Sequence, residues 1–114
     1  MALSAAVLLS TLFLTGSANG HTVNVGVGKT IVVTLSSNAS TGYRWRLAAP
    51  VDKHVLRVVS HRYIAPTSNR AGAAGKQRWR LRTVGTGKVR FRLVYARPTQ
   101  RQVTRRFGVT IRVQ

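Results

Sequence analysis

From Thr22 onward, apolar and polar residues alternate along the chain, and the alternation is stopped repeatedly by Gly, Pro, Asn and Ser. A period of two marks half-buried strands, because successive side chains leave a strand on opposite faces. β-Branched residues are frequent in these stretches and helical spacings are few, so the pattern predicts an all-β domain. The expected strands are Thr22–Val27, Thr30–Ser36, Tyr43–Ala48, Val55–Tyr63, Lys76–Val84, Lys88–Tyr95 and Arg105–Val113. A set of short strands separated by turn residues predicts a sandwich.

The phase of each strand assigns its faces. Tyr43, Trp45 and Leu47 share one side while Arg44 and Arg46 take the other. Trp79, Leu81 and Thr83 oppose Arg78, Arg80 and Arg82; Val89, Phe91, Leu93 and Tyr95 oppose Lys88, Arg90 and Arg92. Phe107, Val109, Ile111 and Val113 form the inner side of the last strand. Trp45 and Trp79 sit in phase with apolar neighbours, so both read as core rather than as stacking platforms for a ligand.

Residues 1–20 carry no charged side chain. Ala5 to Leu14 is a continuous small or apolar run, followed by Thr15-Gly16-Ser17-Ala18-Asn19-Gly20. This predicts a cleaved export signal, cut after Ala18 or Gly20, where small residues occupy the positions a signal peptidase reads. The run falls short of the roughly 20 residues that span a bilayer, so no transmembrane span is expected after cleavage. The expectation is therefore a signal over 1–20, a domain over 21–114, and a periplasmic or secreted location. At that size one core can hold without disulfides or metal, though only marginally.

Composition narrows the chemistry. The 114 residues hold 19 Lys and Arg against a single acid, Asp52, for a formal charge of +18, and no Cys. One acid excludes paired-carboxylate hydrolysis and a carboxylate-rich cation cage; the lack of Cys excludes a thiol nucleophile, disulfides and Cys-ligated metals. His54 and His61 are an odd number of residues apart and fall on opposite faces of a regular strand, which argues against a shared metal site. The chain is expected to be no enzyme and to carry no cofactor or metal.

Three segments are too rich in turn residues to be strand: Ser37–Gly42, Ile64–Gly75 and Ala96–Gln102. Asn38-Ala39-Ser40-Thr41-Gly42 combines groups that hydrogen-bond locally with a residue that tolerates left-handed geometry. Gly72-Ala73-Ala74-Gly75 would let another backbone approach closely. In Arg97-Pro98, proline fixes one torsion and holds the preceding arginine extended. Singly, each is also compatible with an ordinary surface loop.

In this order and spacing the segments resemble the chagasin family of cysteine peptidase inhibitors. The family hallmark is Asn-Pro-Thr-Thr-Gly followed by an aromatic, any residue, and Trp; Asn38-Ala39-Ser40-Thr41-Gly42-Tyr43-Arg44-Trp45 resembles it, with Ala39 in place of Pro and the hydroxyl of Ser40 in place of that of Thr. Gly72-Ala73-Ala74-Gly75 is similar to the family's Gly-x-Gly-Gly, and Tyr95-Ala96-Arg97-Pro98-Thr99 keeps Arg-Pro of Arg-Pro-Trp. Thr22 to Gly28, Val84 to Gly87 and Arg106-Phe107 also look like the family pattern.

The resemblance implies an immunoglobulin-like sandwich of seven to eight strands that wedges three loops into the active-site cleft of a papain-like peptidase. Asn38 to Gly42 would enter beside the catalytic Cys, with Ser40 and Thr41 near the Cys and His and Gly42 making the turn. Gly72, Ala73, Ala74 and Gly75 would form one flank, and Arg97, Pro98 and Thr99 the other. Ala39 in place of proline removes preorganisation of roughly 0.4–1 kcal/mol. Thr99 in place of Trp removes a typical interface anchor, at about 2 kcal/mol. Inhibition weaker or narrower than the family norm follows. Asn38-Ala39-Ser40 also fits the N-glycosylation pattern, read as incidental because a glycan there would cover the entering loop.

The inhibitor reading does not require the charge. Arginine rows on outward strand positions make polyanion binding the rival function, whether to polysaccharide, lipid surface or nucleic acid. No specific nucleic-acid role is expected, given the export signal and the inward phase of most aromatics.

Overall fold

Eight strands build the protein in a computed structural model that describes residues 11–68 and 70–114. They are β1 (Thr11–Leu14), β2 (Thr22–Val25), β3 (Thr30–Ser37), β4 (Arg44–Leu47), β5 (Leu56–Ile64), β6 (Gly75–Thr83), β7 (Gly87–Ala96) and β8 (Arg105–Val113). One sheet has the order β1-β3-β6-β5 and the other β2-β8-β7-β4. Their inner faces meet as an immunoglobulin-like sandwich, in agreement with the all-β expectation. Strands β2 to β8 are those the alternation marks, with ends displaced by a few residues at most. No helix among the described residues is long and apolar enough to cross a membrane.

The phase assignments hold. Trp45, Trp79, Leu81, Phe91, Leu93, Phe107, Val109 and Ile111 are buried in one core cluster, and the intervening arginines of β4, β6 and β7 point outward. Trp79 meets Phe91 edge-on with ring centroids 5.8 Å apart, which joins the two sheets through the core. Thr83 is a buried polar residue at the end of β6. Its hydroxyl donates to Gly26 O at 2.7 Å and accepts from Lys29 N at 2.9 Å, pinning the β2–β3 turn.

Residues ahead of the boundary expected at residue 20 also lie on the sandwich. β1 pairs in parallel with β3, Thr11 opposite Thr30 through Leu14 opposite Val33. Leu12, Leu14 and Ala18 pack against the core, whereas Phe13 faces outward and is 72% exposed. Asn19 Oδ1 accepts from Gly108 N at 2.8 Å, and Gly20 N donates to Gly108 O at 2.7 Å. The apolar run hides this strand because its residues are nearly all apolar or small, so no alternation shows. Residues 1–10 lie outside the described residues.

Candidate functional site

The sheet registers bring the candidate segments to one end of the sandwich. Ser37, the last residue of β3, lies opposite Gly75, the first of β6; Arg44 at the start of β4 lies opposite Ala96 at the end of β7. Hence the segments around residues 38–43, 70–74 and 97–104 all leave from that end.

The first segment is a built turn. Ala39–Thr41 forms a single 3-10 turn, and Gly42 closes it in the left-handed region at φ 81°. That φ disfavours side chains, which explains the glycine. Thr41 Oγ1 donates to Asn38 O at 2.7 Å, and Ser40 Oγ donates to Asn38 Oδ1 at 2.6 Å. The Asn38 side chain is thus engaged inside the loop. Asn38 N donates to the Tyr95 hydroxyl at 2.9 Å, anchoring the entry of the turn to β7.

The third segment braces the first. Arg97 Nε donates to Thr41 O at 3.3 Å, and its guanidinium lies 4.8 Å from the centroid of the Tyr43 ring. Tyr43 stacks on Tyr95 at 5.5 Å, and Tyr95 meets Trp45 at 5.0 Å. Arg105 covers Trp45 and Tyr95 at 5.6 and 5.9 Å. The aromatic stack between two arginines fixes Arg97 against the loop through cation–π contact. Pro98 and Thr99 follow in an exposed turn closed by Gln100 N donating to Arg97 O at 3.1 Å.

Behind the loop sits a buried amide. Gln77, 2% exposed, accepts at Oε1 from Ser37 Oγ at 2.8 Å and from Trp45 N at 2.7 Å. Its Nε2 donates to Trp45 O at 3.0 Å and to His61 Nε2 at 2.7 Å. A backbone N–H can only donate and a backbone C=O only accept, so the two Trp45 bonds fix the amide orientation. His61 Nε2 must then accept, which makes the imidazole neutral with its proton on Nδ1. That ring stacks on Trp79 at 3.8 Å. Burial, with Arg44 as the lesser cause, holds the His61 pKa below the ordinary 6.5. Gln77 therefore joins β6 of one sheet to β4 of the other directly beneath the 38–42 turn.

The second segment is built differently. Gly72 takes φ 79°, and Ala73 N closes a turn onto Arg70 O at 3.1 Å. Gly75, expected to admit a partner's backbone, is instead buried as the first residue of β6. A Cβ there would strike the Tyr63 hydroxyl and the Ile64 carbonyl, so its lack of a side chain serves packing inside the chain. Ala73 and Ala74 remain at the loop surface. His54, whose side chain is 98% exposed, bonds Asp52 away from this end, with Nδ1 3.3 Å from Oδ1.

The pattern reading did not single out Gln77, Tyr95 or Arg105 as parts of the site. The signal for Gln77 was available: it is a polar residue in phase with Trp79, Leu81 and Thr83. A polar group at a core phase requires buried hydrogen bonds.

The family model described as Chagasin family peptidase inhibitor I42 matches residues 24–111. Chagasin of Trypanosoma cruzi is 28% identical over 88 residues, covering 75% of this chain and 80% of that protein. The crystal structure of the cysteine protease inhibitor EhICP2 from Entamoeba histolytica superposes with a TM-score of 0.81 at 18% identity, covering 91% of this chain and 96% of that one. PbICP-C, solved in complex with falcipain-2, gives 0.69 at 18% identity over 92% and 99%. The two structures share the fold, the family match spans most of the sandwich, and the braced loops fall within it: the chain belongs to the chagasin family of peptidase inhibitors.

Proposed function

We propose that the protein is a reversible, tight-binding inhibitor of papain-like cysteine peptidases that inserts the 38–42 turn into the active-site cleft and rests the 72–75 and 97–99 segments on its rims. The observation that carries this reading is the bracing of the turn. Asn38, Thr41 and Gly42 are held by Tyr95, by Arg97 and by the turn's own bonds, so little freedom is left to lose on binding. A 3-10 turn also presents no extended peptide to the thiolate. Acylation needs a carbonyl carbon at near-attack distance and angle, which a turn whose Asn38, Ala39 and Thr41 carbonyls are already bonded does not offer. The loop therefore fills the cleft without being cut. Ser40 and Thr41 face the catalytic Cys and His in this arrangement, and Ala73, Ala74, Pro98 and Thr99 contact the walls.

Export of the chain is part of the same reading, since the uncharged, apolar residues 1–20 suit a secretion signal. Cleavage after Ala18 or Gly20 would remove β1 and uncover the edge of β3. N-terminal sequencing of exported protein decides between a start at Asn19 or His21, which places cleavage there, and a start at or before Thr11, which keeps the strand.

The inhibition test is a titration of a panel of papain-like peptidases with the purified protein. Stoichiometric, competitive inhibition without cleavage of the 38–42 segment is expected, and it should be lost when Ser40 and Thr41 are both replaced by glycine. Absence of inhibition at micromolar protein across the panel overturns the proposal.

A further inference from the structure

Both sheets present outward cations; on one, Lys76, Arg78, Arg80 and Arg82 of β6 lie beside Arg57 and Arg62 of β5. The outer face of β2-β8-β7-β4 carries Lys88, Arg90 and Arg92 on β7, Arg106 and Arg112 on β8, and Arg44 and Arg46 on β4. Nothing neutralises them, because the single acid of the sequence, Asp52, faces His54. This face also has relief. Gly108 is paired with Arg92, Gly20 N reaches Gly108 O on one side, and Ala48 N reaches Arg92 O at 2.9 Å on the other. One row across the sheet therefore reads Gly20, Gly108, Arg92, Ala48, and its Gly108–Arg92–Ala48 part is kept whether a signal is cut after Ala18 or after Gly20.

Three of the four residues in that row are small, and they open a depression of about 300 Å³ on the sheet surface, with Arg90 and Arg106 among its walls. A Cβ on Gly20 would meet nothing within 4 Å, and one on Gly108 would meet only Arg92 Cγ at 3.6 Å. The trough is thus open space whose walls include Arg90, Arg92 and Arg106 together with Val94. Strand geometry spaces the outward cations about 7 Å apart along a strand and about 5 Å between strands. Guanidinium forks at that spacing suit successive oxyanion groups of one flexible chain.

We infer that this face is a binding site for a linear anionic polysaccharide of the sulfated type, with one sulfate seated in the trough among Arg90, Arg92 and Arg106. The choice among polyanions comes from what the face lacks. No aromatic side chain among the described residues points outward on it, Phe107 beside the trough being buried in the core, so single-stranded nucleic acid finds no stacking platform. Phe13 and Val59, the most exposed large apolar groups, belong to the other sheet, and Leu47, the exposed apolar residue on β4 of this one, shares the inward phase of Trp45 rather than the arginine face. The strands run along this face and the 38–42, 72–75 and 97–99 segments leave from one end of the sandwich, so a chain lying across the trough leaves them free. The polysaccharide site and the inhibitory end are separate surfaces.

Calorimetric titration of the full chain with a heparin decasaccharide tests the inference. The Arg92→Gln, Arg106→Gln double variant should bind about tenfold more weakly and lower the slope of log K against log salt by about 2. Gly108→Val, which fills the trough without changing charge, should weaken binding about fivefold, since direct guanidinium–oxyanion bonds are short and do not tolerate displacement. The Arg80→Gln, Arg82→Gln double variant on the opposite sheet should change it less than about twofold, the size expected of distant screened charge. Equal losses from the two double variants would overturn the inference in favour of undirected charge. So would unaltered binding by Gly108→Val, or tighter binding of a single-stranded oligonucleotide or of phosphatidylserine vesicles at the same salt.

Discussion

The 38–42 turn and the 70–74 loop leave the same end of the sandwich, yet they are held in different ways. The first is tied to β7 by Tyr95, to the 97–104 segment by Arg97, and to the sheet beneath it by Gln77 through Trp45. The hydrogen bonds described for the second are local: Arg70 N to Ser68 Oγ at 3.2 Å and Ala73 N to Arg70 O. Its firm point is Gly75, already inside β6. A loop cross-linked to several elements contributes preorganised affinity, whereas a loop that closes on itself contributes contact area and pays an ordering penalty on binding.

The comparison breaks most sharply at Gln77. Gln77→Leu leaves the Ser37 hydroxyl and both Trp45 backbone groups without partners in a buried site. A loss of about 3 kcal/mol in unfolding free energy is expected, read by urea denaturation, together with weaker inhibition. A variant as stable as the parent would mean that the amide does not join the sheets.

Thr99→Trp sharpens the third segment's part. Restoring an aromatic anchor next to the braced Arg97-Pro98 should tighten binding by about 2 kcal/mol, roughly thirtyfold in Kd. If the variant inhibits no better than the parent, the exposed turn at Pro98–Thr99 does not touch the peptidase.

Tyr95→Phe isolates the tether of the turn. Loss of one hydrogen bond to Asn38 N should raise Kd about fivefold, near 1 kcal/mol, with little change in Tm. One glycine inserted after Ala73 in the self-closing loop should alter Kd by less, since small increases in loop length change closure entropy weakly. Matching effects from these two changes would erase the contrast between the loops.

The smallest effect is that of pH. Neutral His61 accepts from Gln77, and its pKa in the folded protein lies below the ordinary 6.5. The unfolded chain therefore takes up the proton first. The stabilisation is complete above 6.5 and declines as pH falls toward the lower folded value. Arg44 is the charged group acting on His61, so protonation gains no favourable partner there. A modest fall in Tm between pH 7.5 and 5, reduced in His61→Gln, is expected; an identical pH dependence in both proteins would remove His61 from the support of the turn.

Much of this architecture is legible in the order of residues. Period-two alternation fixes which side chains of β4, β6, β7 and β8 enter the core, because burial of one strand face leaves no freedom of phase. The ordered loop motifs, read with Trp45, locate the candidate inhibitory end. β1 escapes that reading, since a strand whose outward Phe13 is as apolar as its inward neighbours shows no alternation. Gly75 shows the same thing in another way: sequence marks a glycine as permissive, and only the structure shows that a side chain there would strike Tyr63.

What the sequence determines by itself is therefore local: strand phase, turn chemistry, a single acid with no Cys, and the excess of cations. The tertiary structure alone decides which distant residues meet. Gln77 lies 32 positions from Trp45 and Tyr95 lies 57 from Asn38, and only the packing of one sheet on the other brings them within hydrogen-bond reach. The same holds for the charge. Its total is a sum over residues, but the trough among Arg90, Arg92 and Arg106 exists because pairing sets Gly20, Gly108 and Ala48 in one row.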